Sequence, residues 1–367
     1  MRTLESGVKN AKNAVHYIFG RGSILQLEPL LLDLREDESS YAIYLIDSYF
    51  EKNPGPLKDI SKSEIDLVIY VDTKHEPKTD DINLLLSKLQ KTGKDSPFAI
   101  IGIGGGSMLD IAKAVSNLLT NEGKAEDYQG WDLVKKPGVY KIGIPTLSGT
   151  GAEATRTCVM TNPKNGLKLG MNSDHTVFDQ LIMDPNLTAT VPRGQYFYTG
   201  MDAYVHCIES LAGGYRNAIG DAFSDQTLKL CREVFLSTDM QTDENREKLM
   251  VASYLGGCAI ATSYVGIIHP FSAGLSVVLG VHHCMANCIV MAVMEEFYPN
   301  EVEEFLTFTD KQKIKIPQEI CKNLSQEQFD NLYESTIIHE KPLTNALGED
   351  FKKILTKTKV IEIFKRM

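Results

Sequence analysis

The sequence lacks both long apolar runs and an excess of basic residues. No apolar run reaches the roughly 18 residues that a membrane-spanning helix needs, so no transmembrane segment is predicted. With 38 Lys and Arg against 48 Asp and Glu, the formal net charge is -10, which is the wrong sign for a nucleic-acid or anionic-membrane partner. Residues 1–14 contain no apolar h-region, so no signal peptide is predicted and a cytoplasmic location is expected.

Cysteine is scattered, and the sequence contains no Cys-x-x-Cys pair. An odd number of dispersed cysteines is typical of reduced core residues in a cytosolic protein, and it argues against a zinc–thiolate cluster. The seven cysteines are Cys158, Cys207, Cys231, Cys258, Cys284, Cys288 and Cys321.

The 367 residues are enough for two domains, each with its own core. The first half alternates short apolar runs with amphipathic stretches, which predicts a parallel α/β sheet covered by helices on both faces. Strands are predicted at 41–46, 66–71, 98–103 and 140–144, and helices at 82–89 and 108–119.

The second half has helical periodicity from about Arg193 onward, with little strand-like alternation. The boundary is predicted near Asp184-Pro185, because an X-Pro step ends an extended segment there. We therefore predict an α/β domain over 1–185 and an all-α domain over 186–367. The predicted helices of the second domain are 200–211, 219–236, 245–261 and 286–297.

Two glycine-rich loops follow predicted strands. The strand at 98–103 runs into Gly104–Ser107 and a helix, a pattern that lets backbone N–H groups approach a phosphate. The segment 145–153 (PTLSGTGAE) places small and hydroxylated residues where α/β sheets bind ligands. Each loop could instead be a purely structural turn. Asp47 ends a strand, but it precedes the glycines, whereas the ribose-binding acid of a standard Rossmann fingerprint follows them by about 20 residues.

One carboxylate and three histidines form a candidate metal site. Asp202 and His206 are four residues apart on a predicted helix and share one face. His269 and His283 would lie roughly 21 Å apart on one unbroken helix, too far to share an ion. A break at the intervening Gly274 or Gly280 would let them converge. Such donors suit Fe(II) or Zn(II) and leave coordination positions open.

The same residues have simpler interpretations. Asp202 and His206 could be a surface pair, and His269 beside Pro270 could simply end a helix. His282 and His283 could both face solvent. Spacing alone does not decide between these interpretations and a metal site.

Taken together and in this order, the motifs resemble those of the iron-containing (group III) alcohol dehydrogenase family. The resemblance spans nearly the whole chain, from the Phe19–Gly22 segment to Asn287. It implies an N-terminal dinucleotide-binding α/β domain and a C-terminal helical metal-binding domain, a fold shared with dehydroquinate synthases. Its specific segments are GGGSMLDIAK (104–113), IPTLSGTGAEAT (144–155), TGMDAYVHCIES (199–210) and the His269…His283-x-x-x-Asn287 region.

The resemblance also implies roles for individual residues. It makes Asp202, His206, His269 and His283 the ligands of one divalent metal ion, and it makes Asp47 the acid that reads the adenosine ribose. That role for Asp47 favours NAD over NADP, because a carboxylate repels a 2′-phosphate. The remaining cofactor contacts fall on Gly105, Gly106, Ser107, Thr146, Leu147 and Lys168.

Two positions concern the substrate and its proton. Many family members carry another histidine four residues after the third ligand, where this chain has Ala273. The proton route must therefore differ, and His282, the cofactor ribose hydroxyls or a water chain are the candidates. Arg156 follows the second glycine-rich loop, and we interpret it either as the group that binds a substrate carboxylate or as part of a structural ion pair.

Within the family, several segments are most similar to the bacterial 3-deoxy-D-manno-octulosonate 8-oxidases. This similarity implies oxidation of the C8 hydroxyl of that sugar acid to an aldehyde. A pyridoxal-phosphate aminotransferase would then form an 8-amino sugar for lipopolysaccharide. A homodimer is kept as a candidate assembly. The segments are 128–137, 172–184, 197–211, 278–288 and 295–299.

Other functions within the same fold remain open. They are a broad-specificity aldehyde reductase, a glycerol-type polyol dehydrogenase and a non-redox synthase of the dehydroquinate type. A non-catalytic binding protein is a further alternative, and it would give no change in NADH absorbance with any polyol or sugar acid.

Overall fold

The computed structural model describes residues 11–60 and 62–367. The described residues divide into two compact units, 11–190 and 191–367. The change of unit thus falls after Thr190, whereas the sequence placed it after residue 185.

The first unit is built on a parallel sheet of six strands among its described residues, in the order β1-β9-β6-β4-β2-β3. A smaller sheet has the order β5-β8-β7, and its β7 and β8 run antiparallel. The strands are β1 (His16–Phe19), β2 (Ala42–Asp47), β3 (Leu67–Val71), β4 (Ala99–Gly104), β5 (Gly130–Trp131), β6 (Tyr140–Pro145), β7 (Thr157–Asn162), β8 (Leu167–Asn172) and β9 (Gln180–Met183).

The helices of this unit are α1 (Leu27–Leu34), α2 (Tyr49–Lys52), α3 (Thr79–Lys91) and α4 (Gly106–Leu118). Every residue of β4 is buried, as expected for a strand that helices cover. Gly102 lets α4 pack against this strand, because a Cβ added there would lie 2.6 Å from Cβ of Ala112.

The four predicted strands and two predicted helices of the first unit are all present. The prediction missed β1, β9 and the small sheet. β1 has mostly exposed residues and β7 alternates buried with half-buried ones, so neither reads as a buried apolar run.

The second unit, 191–367, contains helices and no strand, as predicted. Its core includes the packed rings of Phe197, Phe235, Phe305 and Phe308. The helices are α5 (Arg193–Ala212), α6 (Ala218–Phe235), α7 (Asp243–Ser263), α8 (Ile268–Leu279), α9 (His283–Met291), α10 (Pro299–Gln312), α11 (Gln326–Ile337), α12 (Glu340–Leu347), α13 (Phe351–Ile354) and α14 (Lys357–Phe364).

The chain breaks between α8 and α9, and this break matters for the site. Gly280 ends α8 with φ of 69°, a left-handed conformation that glycine adopts at little cost. Gly274 stays inside α8, where an added Cβ would lie 2.8 Å from Oγ1 of Thr336. Only one of the two predicted break points is therefore used. The helix predicted at 286–297 begins earlier and ends earlier, at His283–Met291.

Among the described residues, no single helix is both long and apolar enough to cross a membrane. The pair α7 and α8, bent by 106°, meets the length and composition requirement only when both helices are taken together.

Candidate metal centre and cofactor loop

Helix α5 supplies the first part of a buried polar cluster. Asp202, His206 and Glu209 are four and three residues apart, so their side chains share one face of the helix. Asp202 is 1% exposed and His206 is 3% exposed. The interpretation of Asp202 and His206 as a surface pair is therefore wrong.

The starts of α8 and α9 supply the other two predicted ligands. His269 is the second residue of α8, and His283 is the first residue of α9. Nε2 of His269 lies 3.4 Å from Oδ1 of Asp202, and Nε2 of His283 lies 3.8 Å from Oδ2. Pro270 sits in the first turn of α8, where a missing N–H costs nothing, so His269 begins a helix instead of ending one.

All four predicted ligands are thus in one cluster. Donor atoms of Asp202, His269 and His283 lie within 4.8 Å of one another. His206 joins them through Nε2, which lies 3.4 Å from Oδ1 of Asp202, and through its ring, which stacks on His269 with centroids 4.9 Å apart. The turn at Gly280 brings together two histidines that a continuous helix would have kept apart.

The donor set fits a divalent cation. Nδ1 of His269 donates to Oε2 of Glu209, so a neutral His269 ring would have its lone pair on Nε2, 3.4 Å from Oδ1 of Asp202. Nδ2 of Asn287 donates to Oδ1 of Asp202 at 2.7 Å, and it lies 3.5 and 3.4 Å from Nε2 of His269 and His283. The Asp202 carboxylate and two imidazole nitrogens therefore lie close together, and a divalent cation would bind them once both rings are neutral.

The protein environment shifts the ionisation of these side chains. Burial raises the pKa of Asp202, but the three neighbouring histidines outweigh burial and hold that pKa well below its usual range. Burial lowers the pKa of His206 to about 4. Burial also lowers the pKa of His269, but Glu209 and Asp202 outweigh it and raise that pKa to about 9. At neutral pH Asp202 is therefore ionised and His206 is neutral, which are the states that bind a metal ion. His269 must lose a proton when a metal ion binds.

Several residues of the cluster were not assigned a role from the sequence. Glu209 lies seven residues after Asp202, and this helical spacing was a signal that could have identified it. Asn287 belongs to the recognised His283-x-x-x-Asn287 segment. Sγ of Cys284 lies 3.7 Å from Oδ2 of Asp202, and nothing in the sequence pattern pointed to this contact.

His282, the candidate proton relay, is exposed and precedes α9, outside the cluster of ligand side chains. Ala273 is buried on α8, four residues after His269. The role of His282 stays a prediction.

The two glycine-rich loops of the first unit touch each other. β4 ends at Gly104 and α4 begins at Gly106, so the first N–H groups of α4 are presented at this loop. A Cβ added at Gly105 would lie 2.7 Å from Cδ1 of Leu147, and one added at Gly106 would lie 2.8 Å from Oγ1 of Thr150. Ser107 lies in the first turn of α4, and the N–H of Thr146 donates to the carbonyl oxygen of Gly104 at 2.9 Å.

Asp47 lies beside the same loop. It is the last residue of β2, and a Cβ added at Gly104 would lie 3.2 Å from its Cβ. Its carboxylate accepts hydrogen bonds from the N–H of Tyr49 at 2.9 Å and from Oγ1 of Thr73 at 2.5 Å. Parallel pairing of β2 with β4 explains this proximity, since the carboxyl ends of parallel strands meet at one edge of a sheet.

The two basic candidates are both engaged in ion pairs. Nζ of Lys168 lies 2.6 Å from Oε2 of Glu76. The guanidinium of Arg156 pairs with Asp132, and its Nε lies 3.1 Å from Oδ1 of Asp174. These contacts favour a structural ion pair for Arg156, and binding of a substrate carboxylate by this residue stays a prediction.

Two models of one family match the chain. Iron-containing alcohol dehydrogenase matches residues 14–185, and the C-terminal model of the Fe-containing alcohol dehydrogenase family matches residues 196–336. The first range lies within the unit 11–190 and the second within the unit 191–367.

Curated relatives and a solved structure agree with these models. Sulfoacetaldehyde reductase of Bilophila wadsworthia is 36% identical over 63% of this chain and 60% of its own length. NAD-dependent methanol dehydrogenase of Bacillus methanolicus is 28% identical over 75% of this chain and 72% of its own length. The crystal structure of an iron-containing alcohol dehydrogenase from Thermotoga maritima is 25% identical, with a TM-score of 0.78 over 97% of this chain and 98% of that one. The chain belongs to the iron-containing alcohol dehydrogenase family.

Proposed function

We propose that this protein is a metal- and NAD-dependent dehydrogenase that interconverts a primary alcohol and its aldehyde. The observation that carries the proposal is the convergence of Asp202, His206, His269 and His283 in one buried cluster. Membership of the iron-containing alcohol dehydrogenase family supports the same chemistry, and one relative is named as NAD-dependent.

In this proposal one unit binds the metal ion and the other binds the cofactor. In 191–367, the four ligand residues would hold Fe(II) or Zn(II), which acts as a Lewis acid on an alcohol oxygen when bound. In 11–190, Gly105, Gly106 and Ser107 would offer backbone N–H groups to the diphosphate of NAD, which would supply the hydride acceptor. Asp47 would accept from a ribose hydroxyl, and Thr146, Leu147 and Lys168 complete the proposed cofactor contacts.

The experiment for this proposal tests whether NAD-dependent turnover requires the metal ion. Protein stripped of metal and reloaded with Fe(II) or Zn(II) is incubated with NAD and a panel of primary alcohols, polyols and sugar acids, and NADH formation is followed by absorbance. Turnover is expected only after metal is restored. Equal turnover by stripped and reloaded protein would contradict the proposal, and no turnover with any substrate would favour a binding protein.

For the substrate, we propose the C8 primary alcohol of 3-deoxy-D-manno-octulosonate. The support is the similarity of the segments 128–137, 172–184 and 278–288 to enzymes that act on this sugar acid. A curated relative that reduces sulfoacetaldehyde, by its name, also handles a carbonyl compound with an anionic group. Sulfoacetaldehyde is nevertheless a small aldehyde, so the size of the substrates named for that relative and for the methanol dehydrogenase favours the competing proposal, a dehydrogenase of small alcohols and aldehydes.

A coupled assay distinguishes the two substrate proposals. The aldehyde product is reactive and its formation unfavourable, so a pyridoxal-phosphate aminotransferase and glutamate are added to remove it. Mass spectrometry then looks for an 8-amino product. Formation of that product supports the sugar-acid substrate, whereas rapid turnover of short alcohols or aldehydes without it supports the broad-specificity dehydrogenase.

A further inference from the structure

A buried carboxylate lies next to the predicted ligands without being one of them. Glu209 is fully buried on α5, three residues after His206 and seven after Asp202. One face of α5 therefore carries two predicted metal ligands and a third ionisable side chain, that of Glu209.

Glu209 binds the start of α8. Its Oε1 accepts from the N–H of Ile268 and lies 3.4 Å from the N–H of His269. The first N–H groups of a helix have no partner within that helix, and Ile267, the N-cap residue of α8, makes no side-chain cap. The carboxylate from α5 thus takes the place of a local cap.

The other oxygen of Glu209 determines the state of the His269 ring. Oε2 contacts Nδ1 of His269, and an ionised carboxylate only accepts hydrogen bonds. Nδ1 must therefore carry a hydrogen, so the ring, once neutral, has its lone pair on Nε2, the atom that lies 3.4 Å from Oδ1 of Asp202. This is the tautomer that binds a metal ion through Nε2.

We propose that Glu209 is a positioning residue for the metal centre: it caps α8 and holds His269 in the tautomer and orientation that bind the ion. The inference rests on the metal site of the proposed function. Both functions use the same carboxylate, so the backbone position of His269 and the chemistry of its ring are set together by α5.

Replacement of Glu209 by glutamine keeps the size of the side chain but changes its charge and its hydrogen-bonding groups. In Glu209→Gln, the amide oxygen can accept from the N–H of Ile268 only if the NH2 group faces His269. That NH2 donates to Nδ1, which places the ring hydrogen on Nε2 and blocks the metal-binding atom. Glu209→Asp keeps a group that only accepts, although it is one methylene shorter. We expect the glutamine variant to bind metal about 10- to 100-fold more weakly, as observed for partners of metal-bound histidines, and the aspartate variant to lie nearer the wild type.

The matched control is Glu304→Gln. Glu304 is another carboxylate of the helical unit, and it accepts from Tyr204 and Arg232 without contacting the cluster. Affinity is measured by competition for Zn(II) against a chromophoric chelator, with circular dichroism as the check on folding. The control is expected to keep wild-type affinity. A folded Glu209→Gln protein with wild-type affinity overturns the proposal, and so does an equal loss in the Gln and Asp variants, because the tautomer would then not matter.

A second measurement does not need the metal. Nitrogen NMR of the imidazoles in the metal-free protein, recorded above pH 9 where the His269 ring is neutral, should show that Nδ1 carries the hydrogen in the wild type and that Nε2 carries it in Glu209→Gln. An unchanged His269 signal overturns the proposal. If the wild type shows the expected tautomer but binds no metal, the proposed function fails while the role of Glu209 as the partner of His269 stands.

Discussion

Two neighbouring histidines, His282 and His283, differ in what surrounds them. His283 contacts Asp202 within the cluster, whereas His282 is exposed just before α9. We expect His283→Ala to lose most of the bound metal and His282→Ala to keep it, as measured by elemental analysis of the purified proteins. Equal metal content in both variants would show that the ion lies elsewhere.

The pKa of His269 gives metal binding a pH dependence. Its pKa is raised to about 9 by Glu209 and Asp202 despite burial, so below that value the ring carries a proton that the ion must displace. Metal affinity should therefore fall as pH falls, by about tenfold per pH unit while one proton is released on binding. Chelator competition from pH 6 to pH 9 measures this dependence, and a flat profile would contradict it.

Asp47 is expected to determine cofactor choice. Its Cβ lies close to Gly104, so its carboxylate would repel the 2′-phosphate of an NADP ribose bound at this loop. Asp47→Ala should lower kcat/KM with NAD and improve it with NADP, so the ratio of the two falls. The matched control is Asp72→Ala, which removes the acid just after the next strand of the sheet and should leave the ratio unchanged. An unchanged ratio in Asp47→Ala would show that this residue does not read the ribose.

At the scale of elements, the contact between β4 and α4 supports the cofactor loop. Gly102→Ala would bring a methyl group to 2.6 Å from Cβ of Ala112, so strand and helix must separate. Overpacking of this kind costs about 1–3 kcal/mol, which should lower the free energy of unfolding and displace the first turn of α4. Chemical denaturation and NAD affinity measure the two effects.

Gly194→Ala is the control for that substitution. Gly194 lies in the first turn of α5, where an added Cβ meets only Cε2 of Tyr198 at 3.8 Å, an ordinary contact. This variant should lose no stability, since alanine favours helix over glycine by up to about 1 kcal/mol. A similar loss in both variants would mean that the glycine-to-alanine change itself, and not the β4–α4 contact, is responsible.

At the scale of the molecule, the proposed binding residues for NAD and for the metal ion belong to different units. The cofactor-loop residues lie in 11–190 and the metal-binding residues in 191–367, each with its own hydrophobic cluster. A ligand stabilises the state that binds it, so hydrogen exchange should slow near 104–113 and 145–153 when NAD is added. Addition of metal should slow it near 200–212 and 268–287. Protection by metal confined to the first unit would contradict the assignment of the ligands.

Many of the helices and strands of this protein could be predicted from its sequence, because local residue patterns determine local structure. Apolar runs and helical periodicity predicted β2, β3, β4, β6, α3 and α4, and the absence of strand patterns predicted an all-helical second unit. Short elements without such a signal, such as β1 and the small sheet, were missed. Residue type and spacing proposed the four candidate ligands but left simpler interpretations open, and the family resemblance then favoured the metal site.

Tertiary structure decided what spacing could not. The turn at Gly280 brings His283 to the cluster, and the packing of α8 and α9 against α5 places both histidines at Asp202. The same packing gives His269 its partner Glu209, and the loop that holds Asp132 directs Arg156 into ion pairs. The physical reason is common to all of these contacts. A helix or strand forms from neighbouring residues, whereas a buried polar group takes its partner from whichever distant segment packing brings within hydrogen-bond distance.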